Sequence, residues 1–298
     1  MTRRSFPLAL ITLCASISAC TKTPKQYIDR LEVDAFEGGE VISLTEEQLR
    51  VQLTKKLEGA KFVVLSREQK APEDVKPWRL DFAAGLTEPG LEEGNSWVSI
   101  ALDVRHTGDA EPIALTSRIK VGADGHDVEA MQTAIRGALD DGMGLVVREA
   151  AAIISLEGAS ADVLLAKRKD ADAATREAAV RLLVRKGDRR VLPDLLERLK
   201  SDELDELRAT IGLLVELKAT ESVNPLIEAS NQRDPMFQRE VVFAVGSIGG
   251  SDAEAYLDLV ASGHDDPILR ASAEQALSEL RARNAKKNPP PPAPGTNP

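Results

Sequence analysis

The sequence predicts an α+β protein, with a two-layer sheet-and-helix unit over residues 29–147 and an all-α solenoid over residues 148–283. Three observations carry this reading. Several short runs before residue 122 alternate apolar and polar residues, the pattern of half-buried strands. Helical periodicity appears between and after those runs, at residues 43–59 and again from residue 127. Beyond residue 148 the alternation stops and an internal repeat begins, which in a helical stretch marks stacked helix pairs.

The first unit opens with RLEVDAF (30–36), an alternating strand. SLTEEQLRVQLTKKLEG (43–59) follows as a helix, with Ser43 as its cap, Glu46 completing a capping box and Gly59 at its end. Leu49, Leu53 and Leu57 share one face of it. KFVVL (61–65) and RLDFAAGL (79–86) read as the next strands. In WVSIALDVR (97–105), Val98, Ile100, Leu102 and Val104 alternate with polar or small residues, and IALTSRIKV (113–121) repeats the pattern. HTGDAEP between them suits a hairpin loop. A helix is expected from Asp127 past Val146, with Gly142 and Gly144 as places where it bends or breaks. This order suggests helices on one sheet face and water on the other.

The second unit aligns on Arg176, Arg208, Arg239 and Arg270, at spacings of 32, 31 and 31. Three residues later come Ala179, Ile211, Val242 and Ala273, and six later Leu182, Leu214, Val245 and Ala276, which places them on one helical face. Gly187, Ala219 and Gly250 stand where a turn is needed, before VLPDLLERL, SVNPLIEAS and AEAYLDLV. Asp234–Pro235 and Asp266–Pro267 are helix starts, an acidic cap followed by proline. REAA at Arg148 and again at Arg176 marks a degenerate opening repeat. The pattern resembles the HEAT-like repeats, especially the compact kind described in phycobilin lyases. That resemblance implies a scaffold whose arginines pair with acids of adjacent repeats, so Arg176, Arg208, Arg239 and Arg270 are assigned structural roles. A ligand-reading arginine ladder is the alternative. Lyase activity is not implied, since the folded part has no cysteine to hold a bilin.

The amino terminus gives an address. Arg3 and Arg4 precede an apolar run at 6–15 and the small-residue exit Ile17-Ser18-Ala19-Cys20, the order of a secretory signal. The exit resembles the lipobox of bacterial lipoproteins, which implies cleavage after residue 19 and lipidation of Cys20. Cys14 leaves with the signal, and residues 20–28 form an anchor and linker. Two or more acyl chains hold a protein at a membrane without a spanning helix. Thr21, where an aspartate would retain such a protein at the inner membrane, points to the outer membrane facing the periplasm.

The formal charge is −10, which gives no case for nucleic acid. Charge is uneven: residues 161–200 carry 11 basic and 7 acidic residues, against an acidic balance on either side. That basic segment reads as solvated helix ends or as a contact patch for an acidic surface, the first unit included. His106, at a strand end, and His126 and His264 sit in loop-like surroundings without the spacing of a metal site, and no cofactor is expected. Neither a phosphate-binding loop nor a nucleophile elbow is present. NAKKNPPPPAPGTNP (284–298) reads as an extended tail. The expected role is non-catalytic capture of an envelope protein partner by the repeats. Two alternatives stay open: an accessory lipoprotein of a transport or assembly machine whose first unit is the functional part, and an enzyme with a site between the units.

Overall fold

The computed structural model describes residues 25–87, 96–109, 111–122, 127–231 and 233–287. The signal segment, Cys14, Cys20, His126 and the proline run lie outside the described residues.

Five strands form one sheet in the order β2-β1-β3-β4-β5. They are β1 (Gln26–Val33), β2 (Phe62–Val64), β3 (Trp78–Thr87), β4 (Trp97–His106) and β5 (Ile113–Lys120). β1 starts four residues before the expected Arg30, because it has two partners to hold. Gln26–Ile28 pair in parallel with β2, and the remainder pairs in parallel with β3. Parallel neighbours need a crossover, and α1 (Gly39–Ile42) with α2 (Glu46–Gly59) supplies it between β1 and β2. β3, β4 and β5 form the antiparallel meander that the alternation implies.

The cap of α2 falls two residues later than Ser43. Ser43 has φ +48, whereas an N-cap needs extended backbone, and Thr45 at φ −90 provides it. Thr45 Oγ accepts from the Gln48 amide at 3.2 Å, and Gln48 Oε1 accepts from the Thr45 amide at 3.0 Å, a complete capping box. Leu49, Leu53 and Leu57 are fully buried, as their spacing requires.

α3 (Val128–Leu156) begins at the Asp127 cap and runs unbroken through Gly142 and Gly144. It packs against β4 and β5 on one side and against the helical part on the other. Gly142 is where the helix rests on the sheet: a Cβ there would come within 2.4 Å of Ile100 Cδ1. Close approach, rather than a break, explains this glycine. The helix also runs through the boundary expected at residues 147–148 and belongs to both halves.

Eight further helices follow: α4 (Ala161–Lys167), α5 (Ala173–Arg185), α6 (Leu192–Arg198), α7 (Leu204–Glu216), α8 (Val223–Ser230), α9 (Pro235–Ile248), α10 (Ser251–Gly263) and α11 (Pro267–Lys287). α5 packs on α3, α7 on α5, α9 on α7 and α11 on α9, while α4, α6, α8 and α10 each pack on the helix that follows them. The long helices begin at Ala173, Leu204, Pro235 and Pro267, at spacings of 31, 31 and 32. Residues 284–287, expected in the tail, close α11. Between paired helices the chain turns through left-handed backbone at Gly187, Lys218 and Gly249. The buried apolar residues of sheet and helices form one continuous cluster through α3.

Candidate functional site

Strand alternation gives the sheet two faces. Val98, Ile100, Leu102 and Val104 lie buried against α3, and their neighbours line the opposite face. Strand register sorts that second face into rows. Arg79 pairs with Arg105; Asp81, Asp103 and Ala114 form the next row, then Ala83, Ala101 and Thr116, then Gly85, Ser99 and Arg118, and Thr87, Trp97 and Lys120 the last.

One end of the face is a charge lattice across three strands. Arg79 bonds Glu32 at 2.9 Å and Asp81 at 3.1 Å, Arg105 bonds Asp81 at 2.5 Å, and Arg30 pairs with Glu32. Hydrogen bonding and charge from Arg30 hold the Glu32 carboxyl below its ordinary range. Asp103 is pushed up instead, by burial and by the negative charge of Asp81. At the other end, the Arg118 guanidinium lies 4.4 Å over the Trp97 ring, a cation–π contact, and 3.8 Å from Asp205 of α7.

Between these ends the floor is built from small side chains, and the helices face it. α5 reaches the edge of β5: Arg181 donates to the Ala114 carbonyl at 3.3 Å and Arg185 to the Glu111 carbonyl at 2.7 Å. α7 turns Arg208, Ala209, Gly212 and Glu216 toward the sheet. The space enclosed is an open cleft of about 1380 Å³. The second face of the sheet is therefore roofed in part by helices, where the sequence pattern suggested water alone.

Arginines organise the wall. Arg181 Nε lies 2.5 Å from Glu149 Oε1 of α3, and both side chains are largely buried. Burial pushes the Glu149 carboxyl up, and Arg181 opposes that shift. Arg208 grips Glu240 of α9 with two bonds of 2.9 and 3.0 Å, which raises its pKa. Arg189 bonds Glu221 by the same step of 32 residues. Such pairs join each helix pair to the next.

The four aligned arginines do not occupy one equivalent position. Arg176 and Arg270 are each the fourth residue of their helix, and each donates to two carbonyls of the turn before it. Arg208 and Arg239 are each the fifth residue. Arg208 makes the cross-repeat ion pair, whereas Arg239 is exposed. The alignment slipped by one because the last long-helix spacing is 32 and the first is 31. The left-handed turn residue likewise falls on Lys218, at φ +49, rather than on Ala219. The basic segment 161–200 is engaged mainly within the fold: Lys167 with Asp170, Arg168 with Asp194, Arg190 with Asp162 and Asp188, and Arg198 with Glu177. Arg181 and Arg185 are its contacts to the sheet.

His106 stands at a strand end, as expected, but its surroundings are not those of a loop. It ends β4, buried and stacked on Trp78 at 3.7 Å, with Nδ1 3.2 Å from the Pro77 carbonyl and Nε2 2.6 Å from Glu157 at the end of α3. His264 accepts the Asp266 amide at 3.1 Å and helps shape the entry to α11, a capping role.

The cleft itself was not read from the sequence. Its signals are small residues at alternate strand positions, Ala83 and Gly85 with Ser99 and Ala101, and the pair Ala209 and Gly212 on an exposed helix face. No protein-family model matches the chain, and no curated protein matches its sequence.

Proposed function

We propose that the protein is a lipid-anchored envelope protein, held at the outer membrane through Cys20, that captures a protein partner without catalysing a reaction. In this reading the helices from α4 onward are a compact HEAT-like solenoid. The spacing of the long helices, their successive packing and the ion pairs between neighbouring units support it. The observation that carries the reading is the exposed face of the long helices. α7 presents Ala209 and Gly212 there, and α9 presents Met236 and Phe243, each 31 residues after a cleft position on α7. Repeat proteins use such continuous faces to hold partners. The sheet contributes the other wall, so both halves take part in binding.

Photocrosslinking in whole cells tests this. A photoreactive residue placed at Gly212 or Met236 is expected to give one dominant protein adduct, and a residue at Leu259 on α10 to give none. Equal adducts from both faces, or none from the first, would end the scaffold reading. The address is tested separately: Cys20→Ala should move the chain from the membrane fraction to the soluble one.

A further inference from the structure

We propose that the cleft between the sheet and α5/α7 takes an extended peptide segment of the partner that carries Lys or Arg side chains. The inference rests on the scaffold reading and adds the chemistry of what is captured. At about 1380 Å³ the cleft exceeds the range of about 300–1,000 Å³ usual for small-molecule pockets, and it is open. Its two facing surfaces have little side-chain bulk. Ala83, Ala101 and Thr116 lie on the sheet and Ala209 and Gly212 on α7, and a Cβ on Gly212 would meet nothing within 4 Å. A main chain with extended side chains fits such a slot.

Charge selects the occupant. Three arginines of the lining already face carboxylates: Arg118 with Asp205, Arg181 with Glu149, and Arg208 with Glu240. Arg185 bonds the Glu111 carbonyl. Asp34, Glu37, Glu111 and Glu216 also line the cleft, are exposed, and make no ion pair among the described residues. An entering anion would compete with carboxylates for three of the four arginines, whereas an entering cation meets four unneutralised acids. Beyond α7 the same helical face turns apolar, with exposed Met236 and Phe243 on α9 and Ile268 on α11, 32 residues after Met236. The segment that fits this surface is basic where it crosses the sheet and apolar where it leaves.

The test uses the detergent-solubilised full-length chain and two fluorescent dodecapeptides, one alternating Lys and Ala and one alternating Glu and Ala, followed by anisotropy at physiological salt. The Lys peptide is expected to bind saturably and the Glu peptide not to bind. Gly212→Phe, which fills the slot and removes a helix-weakening glycine, should weaken binding at least about tenfold. Glu37→Gln with Glu216→Gln should do the same in part, whereas Glu47→Gln with Glu228→Gln, equal in charge but on α2 and α8, should not. Circular dichroism checks that each variant is folded. Equal binding of both peptides, undiminished binding to Gly212→Phe, or equal loss in the two charge variants would overturn the proposal. Adducts at Gly212 in cells without Lys-peptide binding would leave the scaffold reading standing and remove this one.

Discussion

The two faces of the sheet are made by the same strands and differ in nearly everything else. On one, Ile100, Leu102 and Val104 meet α3 so closely that Gly142 has no room for a side chain. On the other, Ala101 and Ser99 look across open space at α7, flanked by Asp103 and Arg105 at one end and Arg118 at the other. Packing density explains the difference. The covered face is a core, where each methylene counts. The other face carries small side chains between its charge lattice and the Arg118–Trp97 contact, which leaves a space bounded by rigid elements. Stability belongs to the first face; in the function proposed above, recognition belongs to the second.

The comparison can be broken most directly by changing one residue on each face. Leu102→Ala, on the covered face, should cost about 4 kcal/mol, while Ala101→Val next to it should stay within about 0.5 kcal/mol. Urea unfolding of the two variants measures both, and equal costs would erase the distinction. A second test concerns what holds the helices beside the cleft. Arg181→Met leaves Glu149 buried near Glu177 without its counterion and is expected to cost about 3 kcal/mol. Glu149→Gln should cost much less, since a neutral amide does not carry the burial penalty that raises this carboxyl. Third, Gly142→Val forces α3 off Ile100 and should cost about 2 kcal/mol through overpacking. The same change at Gly212, over the cleft, should be neutral or stabilising.

The smallest effect is in acid. Asp172 and Asp188 are held below the ordinary carboxylate range, the first by hydrogen bonds from Thr175 and the second by Arg190. Their stabilising contribution is present above the unfolded-state value of about 3.9 and is lost as pH falls through the lower folded one. Asp103 has the opposite sign: raised by burial, it favours the fold once protonated and loses that contribution as pH rises. Amide exchange on acidification should therefore open the first turn of α5 before β4. The reverse order would show that the open sheet face, not the helix caps, is the acid-labile region.

Much of this architecture was legible because it depends on local pattern. Alternation placed β3, β4 and β5 to within a residue or so, and the Asp127 and Asp234 caps were readable from the residue types that suit them. What escaped depended on distant partners. Ser43 was read as the cap from its residue type, and only the backbone conformation moves the cap to Thr45. Gly142 read as a breaker because a sequence does not show Ile100 lying beneath it. His106 was placed at its strand end, but its surroundings read as a loop, since neither Trp78 nor Glu157 is near it in sequence. The arginine alignment was off by one because a fixed period hides a single inserted residue. The cleft was the least legible of all. It exists only where strands and helices far apart in sequence face each other, and its sequence mark is an absence of bulk.

The shared helix α3 has a consequence for anyone who would rebuild the molecule. One side of it closes the sheet and the other receives α5, so no seam separates the halves. Cutting at residue 147 would take Glu157 from His106 of the sheet and would strip α5 of its neighbour. Chimeras that swap the helical array for one of another length must keep residues 127–185 as a single graft. Length can be added to this protein at its far end, but it cannot be divided in the middle.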